Sequence, residues 1–117
     1  MNISGTVRLD KRTKNLAKRL HRGEIALIDH QDIDSVSAQM LIEREIAAVI
    51  NASLSTSGRY PNLGPRMLLE AGIPILDNVG FESFDLIHEG DTIEISGDEV
   101  RFDGAYLFSG TELTPEL

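Results

Sequence analysis

The apolar positions of this chain change their period along its length. Leu16 and Leu20 lie four apart beside Ala17, with lysines and arginines around them, the spacing of a short helix that buries a narrow stripe. From Gly23 onward that period is lost. Glu24-Ile25-Ala26-Leu27-Ile28 and Ala47-Ala48-Val49-Ile50 are short apolar runs of the kind that form strands buried on both faces. Each ends in polar residues, Asp29-His30-Gln31-Asp32 after the first and Asn51 after the second. Between them Asp34 is placed to cap a helix that carries Val36, Met40 and Leu41 on one face. A third run, Ile73-Pro74-Ile75-Leu76, has a proline that suits a strand start or an edge. It follows a predicted helix with Pro65 in the first turn, apolar contacts from Met67, Leu68 and Ala71, and Gly72 as a left-handed stop. Residues 81–87 predict one or two further helical turns burying Phe84 and Leu86. The pattern then alternates: Ile93 and Ile95 share a face, Gly97-Asp98 is a two-residue turn signal, and Val100 and Phe102 continue beyond it as an antiparallel hairpin. Residues 105–108 predict one more strand, expected to pair with an early strand around residues 3–9.

Parallel strands joined by crossover helices, followed by a hairpin, define an α/β domain of three layers, β/β/α: a parallel βαβαβ centre with a C-terminal antiparallel hairpin. The expected divisions are a basic strand and helix over residues 1–22, the β/β/α domain over residues 23–110, and the start of a linker to a downstream domain over residues 111–117.

Charge changes the picture. The 117 residues carry a formal charge of -8, which argues against nucleic-acid binding over the whole surface. Residues 1–22, however, hold Arg8, Lys11, Arg12, Lys14, Lys18, Arg19 and Arg22 against Asp10 alone, a local charge of +6 that leaves −14 to the rest. Such a segment is either a solvated helix or a docking surface for a phosphate, a nucleotide or an acidic partner. With no Cys there is no disulfide, no thiolate nucleophile and no cysteine-based metal site. The start of the chain has no secretory pattern, and no apolar run approaches the roughly 20 residues that cross a bilayer, so a cytoplasmic protein is expected.

The candidate chemistry lies in residues 51–66, which follow a buried strand and open a helix, where α/β folds bind ligands. Arg59, Arg66 and the main chain at Gly64 are placed to hold a phosphate or carboxylate, Ser57 and Asn62 to add hydrogen bonds, and Tyr60 to stack on a ring. Asp29, His30 and Asn51 are expected along the rim. The alternative is a packed connection whose polar side chains cap its own backbone. No catalytic set and no metal-ligand spacing assembles: there is no phosphate-binding glycine loop of the nucleotide-hydrolase kind, no dinucleotide fingerprint and no nucleophile elbow, and His21 and His88 have no ligand spacing to His30.

Two resemblances add to this. Gly5-Thr6-Val7-Arg8, Asp10-Lys11-Arg12-Thr13-Lys14-Asn15-Leu16 and Gly23-Glu24-Ile25-Ala26-Leu27-Ile28-Asp29-His30 resemble the amino-terminal domain of the SteA-like family. So do Ser57-Gly58-Arg59-Tyr60-Pro61-Asn62-Leu63-Gly64-Pro65 and Ala71-Gly72-Ile73-Pro74. The family comprises bacterial proteins described as cytokinetic-ring proteins, or as thiamin-pyrophosphokinase-like on account of a central domain. The resemblance implies a non-catalytic N-terminal module of a larger bacterial protein connected with cell division or envelope maintenance. It would bind a small anionic ligand or a protein partner, with no cofactor of its own. The alternative it implies is a composite nucleotide- or thiamin-pyrophosphokinase-like enzyme whose catalytic domain, with any ATP, lies beyond residue 117 and whose basic segment lies near the phosphates. A purely structural homodimer is a third reading, and membrane contact would come only through segments outside this chain.

The second resemblance is to the swivelling phosphohistidine domain of phosphoenolpyruvate-utilising enzymes, carried by Gly72-Ile73-Pro74, Glu89-Gly90-Asp91-Thr92 and the Gly97-Asp98 turn. It implies a β/β/α fold. The position expected for the phosphorylated histidine falls near Leu63, and no His lies between His30 and His88, so the phosphoryl-carrier role does not carry over.

Overall fold

Unbroken apolar runs become the parallel strands. A computed structural model describes residues 1–59 and 62–115 of the chain. In it β1 (Asn2–Leu9) and α1 (Thr13–Ala17) lead into β2 (Ile25–Ile28), α2 (Ser35–Glu43), β3 (Ala48–Asn51), α3 (Gly64–Glu70) and β4 (Ile75–Asp77). Then follow α4 (Ser83–Leu86), β5 (Thr92–Ser96), β6 (Glu99–Phe102), β7 (Ala105–Ser109) and β8 (Thr111–Glu112). The strands run in the order β7-β6-β5-β1-β2-β3-β4-β8, with β1 to β4 parallel and the others antiparallel.

Every residue of β2, β3 and β4 is buried, because both faces of the parallel strands are covered. Their side chains alternate between two cores. Ala26, Ile28, Val49 and Ile75 face Leu16, Leu20, Ala38, Leu41 and Leu68 from the helical side. Ile25, Leu27, Ala48, Ile50 and Leu76 face Ile93, Ile95, Val100 and Phe108 from the antiparallel strands. The fold is thus an α/β domain of three layers, β/β/α. The short α1 is held by burial rather than by its own hydrogen bonds: Leu16 and Leu20 are fully enclosed, worth about 1.5–3 kcal/mol each.

β1 belongs to both strand layers. Its first part pairs antiparallel with β5, from Asn2 opposite Ser96 to Thr6 opposite Thr92. Its last part pairs parallel with β2, Val7 opposite Ile25 to Leu9 opposite Leu27.

Several local expectations are corrected. β5, not β7, lies beside β1, and β7 pairs with β6. The reason is a second two-residue turn: Asp103 and Gly104 adopt φ of 51° and 78° with Phe102 opposite Ala105, the geometry of a type I′ hairpin. Val36 is exposed, since at 3.6 residues per turn it lies far around α2 from Leu41; the buried face is Ser37, Ala38 and Leu41. Leu86 is exposed and Phe84 half-buried, and the deep contact of the single-turn α4 region is Ile87. Ala71 is exposed, although Gly72 does end the third helix with φ 82°. Residues 111–112, expected to begin a linker, add β8 to the sheet opposite Leu76 and Asp77. No helix among the described residues is long and apolar enough to cross a membrane.

Candidate functional site

The parallel strands end together, and their last residues turn polar at one edge. There the side chain of the fully buried Asn51 ties two loops, and its main-chain carbonyl accepts from the Val79 N–H of a third. Its Oδ1 accepts from the main-chain N–H groups of His30 (3.0 Å) and Ser53 (3.1 Å), and its Nδ2 donates to the His30 carbonyl and to Ser55 Oγ, each at 2.8 Å. Ser55 in turn donates to Asp77 through its N–H (2.9 Å) and its hydroxyl (2.6 Å). Ser53 Oγ donates to Asp29, Ser57 donates to Asp32 through its N–H and its hydroxyl, and Asn62 Nδ2 donates to the carbonyls of Ser55 and Ile33. In the packed connection so formed, Asn51, Ser55, Ser57 and Asn62 direct hydrogen bonds to their own loop and its neighbour.

Burial pushes the Asp77 carboxyl up, and the hydrogen bonds from Ser55 and the Asn78 main chain only partly oppose it, so it stays above the ordinary aspartate range. The folded chain therefore holds this proton to higher pH than the unfolded chain does. Its contribution to stability falls as pH rises through the window above the ordinary value. Asp77→Asn keeps an oxygen for both Ser55 donors and carries no charge. Urea midpoints of the variant are expected to move upward relative to the parent as pH rises above the ordinary aspartate value; a constant offset as pH rises would show that Asp77 does not titrate differently in the folded state.

Three clefts open along this edge. The first, of about 640 Å³, runs between Lys11, Arg12, Lys14 and Asn15 on one wall and Asp29, His30 and Asp34 on the other. The second, of about 170 Å³, is lined by Asn62, Pro65, Arg66 and Leu113, and the third, of about 440 Å³, by Leu54, Ser57, Asp77 and Leu113. The expected single pocket is thus distributed. Asp29 and His30 face the basic segment, Asn62 and Arg66 share the second cleft, Ser57 lines the third, and Asn51 is enclosed in the loop network. Gly64 is buried against the Ile33 and Asp34 main chain, and Arg59 is exposed and lines none of the three. Tyr60 lies outside the described residues.

The electrostatics separate the cations of the leading segment into two groups. Arg8 bonds Glu24 at 2.9 Å and lies 3.6 Å from Glu89, Arg19 bonds Glu89, and Arg22 bonds Glu45 at 2.7 Å. Burial raises both Glu24 and Glu89, but hydrogen bonds outweigh it: Arg8 and the His21 N–H on Glu24, the Leu9 N–H and Arg19 on Glu89. Both carboxyls end below their ordinary range. Lys11, Arg12, Lys14 and Lys18, in contrast, form no ion pair among the described residues, and the first three line the first cleft. Across the cleft Thr13 Oγ1 and His30 Nδ1 share a 2.7 Å hydrogen bond, and His30 Nε2 lies 3.4 Å from Asp34 Oδ1. Asp34 also caps α2 by accepting from the Ser37 N–H. Burial raises its carboxyl, but the Ser37 hydrogen bonds bring it below its ordinary range. No group of three or more metal-ligating side chains is poised to hold an ion among the described residues.

The grouping of residues 11–15 with His30 was not read from the sequence. The available signal was topological: β1 and β2 are adjacent and parallel, so the segments that follow them emerge side by side. No family model matches the chain, and no curated protein matches it. The SteA-like and phosphohistidine-domain resemblances therefore stand on the residues quoted for them.

Proposed function

We propose that this domain is a non-catalytic ligand-binding module that takes a small anionic group in the cleft between residues 11–15 and Asp29-His30. The observation that carries the reading is the pairing pattern. Arg8, Arg19 and Arg22 are neutralised by carboxylates, whereas Lys11, Arg12 and Lys14 line one wall of an open cleft and form no ion pair among the described residues. Unpaired cations on the carboxyl-end edge of parallel strands, with hydrogen-bond donors beside them, suit a phosphate or carboxylate. The resemblance to SteA-like proteins supports a cytoplasmic, N-terminal position of this module in a larger bacterial protein connected with cell division or envelope maintenance.

Titration of the ¹⁵N-labelled protein with inorganic phosphate and pyrophosphate tests the site. Resonances of residues 11–15 and His30 are expected to shift, with affinity falling as salt rises. Replacing Lys11, Arg12 and Lys14 together by alanine is expected to cost about tenfold or more in affinity, and Arg59→Ala to cost nothing. Loss of binding in Arg59→Ala with full binding in the triple variant would move the site to the loop of residues 51–66.

A further inference from the structure

The same cleft carries more than cations. Asp29 engages Ser53 through Oδ1, while its Oδ2 accepts no hydrogen bond among the described residues. The Asn15 side chain, also on the cleft wall, makes no hydrogen bond there either. The lining therefore offers three cations, the Asp29 oxygen free to accept, the Asp34 carboxylate facing His30, and one amide free to do both. It offers little to an aromatic ring. Every lining residue is polar or charged, and the one ring, His30, is engaged at Nδ1 by Thr13 and faces Asp34 at Nε2. A nucleobase or a thiamin ring would find only the His30 ring and the Arg12 guanidinium to stack on. A bare phosphate would leave Asp29 facing an anion with no donor between them, an unfavourable pairing at short range. A ligand whose hydroxyl groups lie a few bonds from its phosphate removes that repulsion by placing an O–H against Asp29.

Resting on the anion-binding reading above, we infer that the ligand class is a phosphorylated polyol, a sugar phosphate or its open-chain equivalent. Lys11, Arg12 and Lys14 hold the phosphate, and Asp29 and Asn15 hold the hydroxyls. Asp29 acts as acceptor only, so it selects for O–H donors and against a second anionic group on the same ligand. The hydroxyls set the preference between ligands, and the phosphate sets most of the salt dependence.

Calorimetric and NMR titrations with inorganic phosphate, glucose 6-phosphate, glucose and AMP test this on the intact chain. Glucose 6-phosphate is expected to bind about tenfold or more tightly than inorganic phosphate, and glucose alone to bind too weakly to measure. Asp29→Asn keeps an acceptor for Ser53, and Asn15→Ala removes a side chain with no bond among the described residues, so neither change is expected to unfold the domain. Each is expected to bring the ratio of the two affinities toward one. Equal affinity for phosphate and glucose 6-phosphate, or an unchanged ratio in both variants, would overturn the polyol class while leaving the anion site standing. Tighter binding of AMP than of glucose 6-phosphate would overturn it in favour of a nucleotide. Absence of shifts at residues 11–15 with every phosphate would overturn the anion site itself.

Discussion

Gly64→Ala is expected to destabilise the domain by about 3 kcal/mol or more, a fall of roughly 10–20 °C in the melting midpoint. A Cβ at this position would lie 2.1 Å from the Ile33 carbonyl oxygen, 2.7 Å from its carbon and 2.8 Å from the Asp34 carbonyl oxygen. The obstacle is main chain on all three sides, so no rotamer change relieves it. The start of α3 must separate from the segment that leads into α2. That separation also strains the hydrogen bond from Asn62 to the Ile33 carbonyl. Gly58→Ala is the matched control. Gly58 has φ 81° but nothing within 4 Å of the added carbon among the described residues, so the left-handed backbone penalty of about 1–2 kcal/mol is the expected cost. Urea unfolding of both variants separates contact from conformation. Equal losses would mean that the close approach of the two helix starts contributes nothing.

Asn51→Leu is expected to cost about 3–5 kcal/mol at nearly constant volume, because leucine leaves the His30 N–H and carbonyl, the Ser53 N–H and the Ser55 hydroxyl without this partner in a water-excluded place. The loss should fall mainly in the loops rather than the sheet. Hydrogen exchange of the His30 and Ser53 amides is expected to accelerate far more than that of Ile50 or Leu27. The effect also reaches the candidate cleft, since the His30 main chain is held by Asn51. A double-mutant cycle with Ser55→Ala is expected to show coupling of about 1 kcal/mol or more; additive losses would mean that the two side chains act separately and the proposed network is not a unit.

The architecture was legible where local pattern and burial coincide. Ile25-Ala26-Leu27-Ile28 and Ala48-Val49-Ile50 read as strands covered on both faces, and they are; Asp34 read as a cap, and it is. Gly97-Asp98 marked the β5–β6 turn. The Asp103-Gly104 pair carried an equally good turn signal, and taking it into account would have assigned β7 to β6 rather than to β1. The cleft was less legible for a physical reason. Which cations remain unpaired depends on contacts between segments far apart in the chain, Arg8 with Glu24 and Glu89, Arg19 with Glu89, and no local spacing encodes them. The polar run of residues 51–66 was conspicuous in composition. Its side chains prove to hold the loop together, with Ser57 and Asn62 also reaching cleft walls.

The division of β1 between two partners constrains the order of assembly during synthesis. As the chain leaves the ribosome, residues 7–9 can find β2 once Ile28 has emerged. Residues 2–6 must wait for β5, which ends at Ser96. Until β5 has been made, the first part of β1 therefore presents an unpaired edge, the kind of template on which neighbouring nascent chains join wrongly. Closing the sheet requires bringing together segments about 90 residues apart in the sequence, a slow step in topologies dominated by distant contacts. Within this sheet β1 is thus made before the strands it pairs with, yet is among the last to be completed.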